Sequence, residues 1–155
     1  MPIINAMSNS SITAYADGGC SGNPGPGAWA YVILADEQKK SVSGFEQMTT
    51  NNKMELTAVI RALEFIGSQN TWKNENVVLF TDSRYVQKGI SDWIQKWIAN
   101  GWKTSNRKPV KNRELWIHLK DLCNGMQIEW KWIKGHSGDK FNEECDSMVR
   151  KEMNR

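Results

Sequence analysis

The chain has 155 residues, 39% of them hydrophobic and 24% charged, with a net charge of +3. These values predict one globular domain with a real core, and so small a net charge does not by itself indicate a nucleic-acid partner. Three widely spaced cysteines without a CxxC pair favour reduced thiols over a disulfide framework or a zinc site. The sequence shows neither a signal-peptide pattern nor an apolar run of about 18 residues, so we expect a soluble, cytoplasmic protein.

The first third of the chain predicts an antiparallel meander of three short strands. Residues 12–16 alternate, residues 27–34 are apolar and aromatic, and residues 41–47 alternate weakly. Glycines and prolines at residues 18–27 predict a hairpin loop between the first two strands. We expect residues 1–11 to be a polar extension that precedes the domain.

Helical spacing begins after the meander. Apolar residues recur at this spacing over 53–67, with residues 50–52 as candidate caps. The apolar run at 76–81 is typical of a buried strand, and Ser83 after it can cap a helix that ends at Gly89. Further patterns predict helices at 92–99, 112–122 and 141–153, and a strand at 127–133. The order of elements predicts an α/β domain over residues 12–155, with helices flanking a mixed five-stranded sheet.

Four acidic residues lie near the ends of these elements: Asp17, Glu55, Asp82 and Asp146. Asp17 and Asp82 follow two strands that would be parallel neighbours, so both side chains would leave the same sheet edge, where ligands bind in open α/β folds. Any one of the four could instead be a solvated charge or a helix-start residue. Together they predict a site for Mg²⁺ or Mn²⁺ and phosphate chemistry, because carboxylates so close together need cations or protons.

A basic segment, residues 93–113, contains six basic residues and no acidic one. A charge run is usually a solvated face, and tryptophans four residues apart usually pack a helix onto its core. Together, cations and aromatic rings favour binding to a nucleic-acid backbone. The segment's basic residues are Lys96, Lys103, Arg107, Lys108, Lys111 and Arg113, and its tryptophans are Trp93, Trp97 and Trp102. We expect the other five tryptophans, Trp29, Trp72, Trp116, Trp130 and Trp132, to be core or near-core.

The hairpin loop and the two histidines also have alternative interpretations. Turn chemistry explains the small residues of the loop, but these also allow RNA to approach, so that Asn23 can contact 2′-hydroxyls. His118, in a helical run, is expected to have a surface or packing role. His136 follows Gly135 in the loop before the last helix, where it is either structural or close to the acidic residues.

Six sequence blocks resemble bacterial type 1 ribonuclease H (ribonuclease HI), in order and with the spacing of that family. The blocks are residues 17–27, 49–56, 81–86, 101–104, 108–112 and 132–138, and the resemblance runs from about residue 12 to the chain end. It implies a monomeric endonuclease that hydrolyses the RNA strand of RNA/DNA hybrids and leaves 5′-phosphate and 3′-hydroxyl ends. It also implies two Mg²⁺ ions, with Mn²⁺ as a plausible substitute, held by Asp17, Glu55, Asp82 and Asp146 for in-line displacement.

The resemblance implies further roles for individual residues. His136 would assist proton transfer or product release, and the basic segment would be a protrusion that holds the DNA strand. Arg84 stands where familiar members often carry Gln, so its minor-groove contact would be altered or become a phosphate contact. The other implied minor-groove residues are Cys20, Asn23, Asn51 and Asn52, the DNA-phosphate residues are Thr50 and Asn112, and the protrusion contacts are Trp93, Trp97, Trp102, Lys103, Lys108 and Lys111.

Three other classes of protein share part of this pattern. A 3′ to 5′ exonuclease on a related fold would need a second acidic residue where Gly19 stands. A transposase would share the acidic residues but not Asn51, Asn52 and the basic segment. A non-catalytic hybrid-binding module would lack acidic residues, yet all four are present.

Overall fold

The structure, a computed structural model, describes residues 12–72, 74–135 and 137–154. The predicted extension at residues 1–11 and the predicted catalytic residue His136 lie outside the described residues. The strands are β1 (Ile12–Cys20), β2 (Gly25–Ala35), β3 (Gln38–Thr49), β4 (Asn76–Thr81) and β5 (Gln127–Trp132). The α-helices are α1 (Asn51–Ser68), α2 (Arg84–Lys88), α3 (Ile94–Ala99), α4 (Arg113–Cys123) and α5 (Lys140–Met153).

The five strands form one mixed sheet in the order β3-β2-β1-β4-β5. β1, β2 and β3 are antiparallel, whereas β4 is parallel to both β1 and β5. The predicted mixed five-stranded sheet is therefore confirmed. Ala16 and Thr81 form the last pair between β1 and β4, so Asp17 and Asp82 both lie one residue beyond it.

Helices cover both faces of the sheet, and each face has its own apolar core. On one face, α1 and α4 contribute Leu56, Leu63 and the fully buried Trp116. On the other face, α5 packs against β1, β2 and β3 and buries Cys145 and Val149. Since alternate strand residues point to opposite faces, Asp17 shares the α5 face with its neighbour but one, Tyr15. Across the described residues, no helix is long and apolar enough to cross a bilayer.

The first hairpin is tighter than the sequence predicts. β1 continues through Gly18 and Gly19, which pair with Trp29 and Ala28, so the predicted loop at 18–27 shrinks to residues 21–24. Asp17 consequently lies within β1 opposite Ala30, not near the end of its strand as expected. Pairing with β2 overrides the low strand propensity of the glycines.

The helices after β4 also differ from the prediction. A π-helical turn, Gly89–Trp93, joins α2 to α3, so the two helices predicted at 83–89 and 92–99 are continuous. Gly89 is required there because a β-carbon would overlap the indole ring of Trp116. Asn112, expected to begin the next helix, precedes α4 in the left-handed conformation, with φ 59°.

Candidate active site

Asp17 and Asp82 are adjacent at the edge where β4 ends. Asp17 is only 9% exposed, and its carboxyl group shares a hydrogen bond with that of Asp82. Asp82 also accepts a long hydrogen bond, 3.5 Å, from Nδ2 of Asn142, a side chain that is almost fully buried. A β-carbon on Gly135 would lie 3.0 Å from Oδ2 of Asp82, so the loop after β5 closes over this carboxylate.

Glu55 reaches the same edge because Gly18 follows Asp17. A β-carbon on Gly18 would overlap backbone atoms of Met54 and Glu55, so only glycine lets α1 lie this close to β1. Ser83 then fixes the Glu55 side chain: its hydroxyl donates to Oε1 of Glu55 at 2.7 Å and accepts from the N–H of Val86 at 3.1 Å. One serine thus caps α2 and orients an acidic residue of α1.

Asp146 comes from α5, on the α5 face of the sheet. Its Oδ2 lies 3.1 Å from Nη2 of Arg150, one helical turn further on, and its side chain is 27% exposed. Asn142 lies one turn before Asp146 on the same side of the helix, so α5 presents both residues toward the strand ends. The helix begins firmly, since Asp139 accepts from the N–H groups of Phe141 and Asn142.

The four acidic residues, called the carboxylate cluster below, interact electrostatically. Burial, followed by the charges of Asp82 and Asp146, the hydrogen bond with Asp82 and the charge of Glu55, raises the pKa of Asp17 to about 8. Burial and the charge of Asp82 also raise the pKa of Glu55, against hydrogen bonds from Ser83 and Asn51 that lower it. A cluster with these shifts is stabilised by taking up a proton or a cation.

The donor atoms of the carboxylate cluster fit a hard divalent cation, because all are carboxylate oxygens. Their arrangement is not that of a ready-made metal site: within the described ranges, no three Asp, Glu, His or Cys side chains are grouped to hold an ion. Glu55 is bonded to Ser83 and Asp146 to Arg150. The structure therefore brings the four residues into one charged group, in which Glu55, Asp82 and Asp146 each also contact a side chain outside the group.

The predicted minor-groove residues meet where the first hairpin contacts α1. The backbone N–H of Asn51 donates to Oδ1 of Asn23 at 3.0 Å, and the thiol of Cys20 donates to the carbonyl of Thr49 at 3.3 Å. The predicted cap is confirmed, because Oγ1 of Thr50 accepts from the N–H of Lys53 at 3.2 Å. The side chains of Asn23 and Asn52 remain exposed.

The basic segment combines exposed cations with packed aromatic rings. Ring centroids lie 5.7 Å apart for Trp93 and Trp97 and 6.4 Å apart for Trp97 and Trp102, and all three rings are half-buried. Trp97 also packs on the buried Trp116, with centroids 5.4 Å apart. Lys103, Lys108 and Lys111 are all exposed. The tryptophans thus anchor the segment, and the lysines give it its surface charge.

Arg84 and Trp132 form a pair beside the carboxylate cluster. Arg84 is exposed at the start of α2, and its guanidinium carbon lies 5.8 Å from the centroid of the Trp132 ring. Trp132 was expected in or near the core, and this was wrong: it is 40% exposed, because it ends the edge strand β5 opposite Thr81. Trp116 is fully buried, and Trp29, Trp72 and Trp130 are partly buried against the core, as expected.

A groove of about 710 Å³ separates the start of α1 from the loop before α4. Lys53, Asn112 and Arg113 contribute polar and cationic side chains to its lining. Thr50 caps α1 beside it, so the two residues expected at a DNA phosphate, Thr50 and Asn112, lie on elements that border the same groove.

Sequence reasoning missed three residues of this region, namely Ser83 as a partner of Glu55, Asn142 as a donor to Asp82, and Tyr85. Two of them carried a signal in the sequence. Ser83 directly follows Asp82, and Asn142 precedes Asp146 by one helical turn. Tyr85 carried none, because its hydrogen-bond partners are Asn112 and Trp116, far along the chain.

The fold is that of the ribonucleases H. LC9-RNase H1, described as a type 1 RNase H with the type 2 active-site motif, superposes with a TM-score of 0.83 at 31% identity, over 94% of this chain and 72% of that one. LC11-RNase H1, solved in complex with an RNA/DNA hybrid, superposes with a TM-score of 0.73 at 22% identity, over 93% of this chain and 97% of that one. The second likeness concerns the fold alone.

The family follows from the sequence matches. The RNase H family model matches residues 9–154. A ribonuclease H of Wolbachia sp. subsp. Drosophila simulans (strain wRi) is 53% identical over 94% of this chain and 97% of its own length, and that of Ehrlichia chaffeensis is 49% identical over 93% and 95%. The chain therefore belongs to the ribonuclease H family and is a nuclease.

Proposed function

We propose that this protein is an endonuclease that hydrolyses the RNA strand of RNA/DNA hybrids by two-metal in-line attack, leaving 5′-phosphate and 3′-hydroxyl ends. The observation that carries the proposal is the carboxylate cluster at the sheet edge, in a chain of the ribonuclease H family. The hybrid bound by LC11-RNase H1, which shares this fold, supports the choice of substrate.

Asp17, Glu55, Asp82 and Asp146 would hold Mg²⁺, with Mn²⁺ as a plausible substitute. When bound, such ions activate the attacking water and stabilise the departing oxygen. The chain's own residues prepare the site: Ser83 orients Glu55, and Asn142 and Gly135 confine Asp82. Arg150 balances the charge of Asp146 and would release it to the ions. We further propose that His136 assists proton transfer or product release.

The hybrid would lie across the hairpin, the carboxylate cluster and the basic segment. Asn52 lies in the first turn of α1, as Glu55 does, and Asn23 accepts a hydrogen bond from the N–H of Asn51 at the start of that helix. Both side chains are exposed, which supports contacts with 2′-hydroxyls near the carboxylate cluster. The pairing of Arg84 with Trp132 supports a contact of Arg84 with the RNA strand, because the ring lies 5.8 Å from the guanidinium carbon of an exposed cation only two residues after Asp82. The proposed substrate-binding residues are Cys20, Asn23, Thr50, Asn51, Asn52, Arg84, Trp93, Trp97, Trp102, Lys103, Lys108, Lys111 and Asn112.

We propose one catalytic domain over residues 12–155, with residues 1–11 as an extension and the basic segment as its protrusion. The family model, which spans residues 9–154, supports a single domain. A monomeric state and a cytoplasmic location stay predictions from the sequence.

The test is an endpoint assay on an RNA/DNA hybrid whose RNA is labelled and closed into a circle, with and without Mg²⁺. Internal cuts with 5′-phosphate ends, restricted to the RNA and dependent on Mg²⁺, are expected. Because a circle has no end, cutting also separates the proposal from an exonuclease. Equal cutting of duplex DNA, or full activity in excess EDTA, would refute the proposal.

A further inference from the structure

Two donors converge on the hydroxyl oxygen of Tyr85, a residue with no role so far. It accepts from Nε1 of Trp116 at 3.0 Å and from Nδ2 of Asn112 at 3.1 Å. The Tyr85 ring packs edge-on against Trp93 and Trp116, with centroid distances of 5.9 and 5.4 Å. The two tryptophan rings therefore fix the position of the Tyr85 ring independently of its contact with Asn112.

The two hydrogen bonds of Tyr85 differ in purpose. Trp116 is fully buried, and a buried indole N–H needs an acceptor, so this bond belongs to the core. Asn112 is only half-buried, and water could satisfy its amide. The core therefore does not require the bond between Tyr85 and Asn112.

Asn112 also gives up its usual role to make this bond. It stands at the N-cap of α4, where an asparagine normally accepts from the helix N–H groups, yet it makes no such bond. Its backbone is left-handed, with φ 59° and ψ 29°, a conformation uncommon outside glycine. Sparsely populated backbone conformations of this kind persist where the surrounding structure fixes them, often at binding sites.

The bond to Tyr85 leaves Asn112 ready to donate. An amide nitrogen carries two hydrogens, and Tyr85 occupies one, so the other is fixed in direction and available. Asn112 lines the groove together with the cations of Lys53 and Arg113 and the carboxylates of Glu46 and Glu114. A donor held in place in a groove that also offers two cations suits a phosphate oxygen.

We propose that Tyr85 is a positioning residue for DNA-strand binding, whose hydroxyl holds the Asn112 amide ready to donate to a DNA phosphate in this groove. The inference rests on the proposed function, in which Asn112 contacts the DNA strand. Tyr85 also lies one residue after Arg84 on α2, the short helix that begins after Asp82 and Ser83. The same helix thus sets the distance between the DNA phosphate and the carboxylate cluster.

The experiment is steady-state cleavage by Tyr85→Phe, which keeps the ring and removes the oxygen. KM should rise by about 5- to 10-fold with kcat within about twofold, because the variant no longer orients one donor toward a phosphate while the chemistry is untouched. Combining Tyr85→Phe with Asn112→Ala should give the KM of Asn112→Ala alone, since both changes remove the same interaction. Tyr31→Phe is the matched control: it removes the hydroxyl of a buried tyrosine on β2, away from Asn112, and should keep the parent KM.

A second experiment repeats the comparison in a Trp116→Phe background, where no indole N–H is left without an acceptor. Tyr85→Phe leaves Trp116 without its acceptor and can lower stability, whereas in a Trp116→Phe background no donor is stranded. Trp116→Phe alone should lower the melting temperature and leave KM unchanged. Adding Tyr85→Phe in this background should still raise KM by the same factor. This comparison holds even if the single variant folds poorly.

Hybrids with one neutral methylphosphonate in the DNA strand locate the contact. One position should raise the KM of the parent by a larger factor than that of Tyr85→Phe, because the variant has already lost the contribution of the oriented Asn112 amide at that phosphate. An unchanged KM in Tyr85→Phe, additive effects with Asn112→Ala, or equal sensitivity to every methylphosphonate would overturn the inference. If the parent enzyme does not cut the hybrid at all, the proposed function fails instead, so the two failures are distinguishable.

Discussion

The carboxylate cluster and the basic segment are built in opposite ways. The carboxylate cluster takes one residue from each of β1, α1, α5 and the end of β4, and it depends on close backbone approach at Gly18. The basic segment is continuous in sequence, with exposed lysines on an anchor of tryptophan rings that pack against one another at tilted angles. Under the proposed function, the carboxylate cluster would carry out the chemistry and the basic segment would supply affinity, so changes to the exposed lysines should leave the chemistry intact.

The largest expected effect is on the carboxylate side of this comparison. Asp17→Asn or Asp82→Asn should lower kcat by at least about 10³-fold, because the variant loses a ligand anion, while hybrid binding survives in the basic segment. Single-turnover cleavage and a binding titration measure the two separately. Glu129→Gln removes an exposed carboxylate on β5 and serves as the control. Parent-like rates in either Asp variant would end the two-metal assignment.

The histidines give an intermediate effect within the chemistry. His136→Ala should slow turnover by roughly 10- to 100-fold without abolishing it, since a proton-transfer group assists a reaction that the ions already promote. His118→Ala is the matched control: Nε2 of His118 lies 2.8 Å from Oε2 of Glu64 on the exposed surface of α1 and α4. If both variants turn over as fast as the parent, His136 is a structural loop residue.

The basic segment should change affinity and leave chemistry intact. Replacing Lys103, Lys108 and Lys111 together by Ala should raise KM about 10-fold or more, with kcat nearly unchanged. The salt dependence of binding should flatten by up to roughly 0.7–0.9 log units per log unit of salt for each phosphate that the variant no longer neutralises. The fold should persist, because these side chains are exposed.

A control of equal charge sharpens that test. Replacing Lys39, Lys40 and Lys120 by Ala removes the same charge from surfaces outside the basic segment, and its KM and salt slope should stay close to those of the parent. If the two triple variants behave alike, the basic segment is only a solvated face, and the DNA strand is held elsewhere.

The sequence predicted the features that depend on local patterns and missed those that depend on distant contacts. The α1 helix and its Thr50 cap followed from local patterns, namely apolar period and cap chemistry. The predicted parallel pairing of the first and fourth strands also placed Asp17 beside Asp82, although Asp17 lies within β1. The extension of β1 through two glycines could not be predicted, because pairing with β2 decides it. The π-helical turn at Gly89 and the hydrogen bond between Tyr85 and Asn112 depend on contacts with distant residues, which no local pattern encodes.

The smallest expected effect concerns the stability of the metal-free protein. Asp17 has a folded-state pKa of about 8, raised from 3.8 first by burial and then by the other acidic residues of the carboxylate cluster. For a raised pKa, the stabilising contribution is fully present below the unfolded value and is lost as pH rises through the folded value. In EDTA, the melting temperature should therefore fall between about pH 4 and pH 8, and Mg²⁺ should restore part of it.

Asp17→Asn isolates this effect, because the amide cannot ionise. At pH 8.5 in EDTA, the variant should melt a few degrees above the parent, on the order of 3 °C for each kcal/mol of repulsion removed, whereas at pH 4 the two should converge. Mg²⁺ should then stabilise the parent more than the variant. A variant that melts below the parent at pH 8.5 would show that hydrogen bonding by Asp17 outweighs repulsion. In that case hydrogen bonds would stabilise the carboxylate cluster, and repulsion between its carboxylates would be too weak to favour binding of a cation.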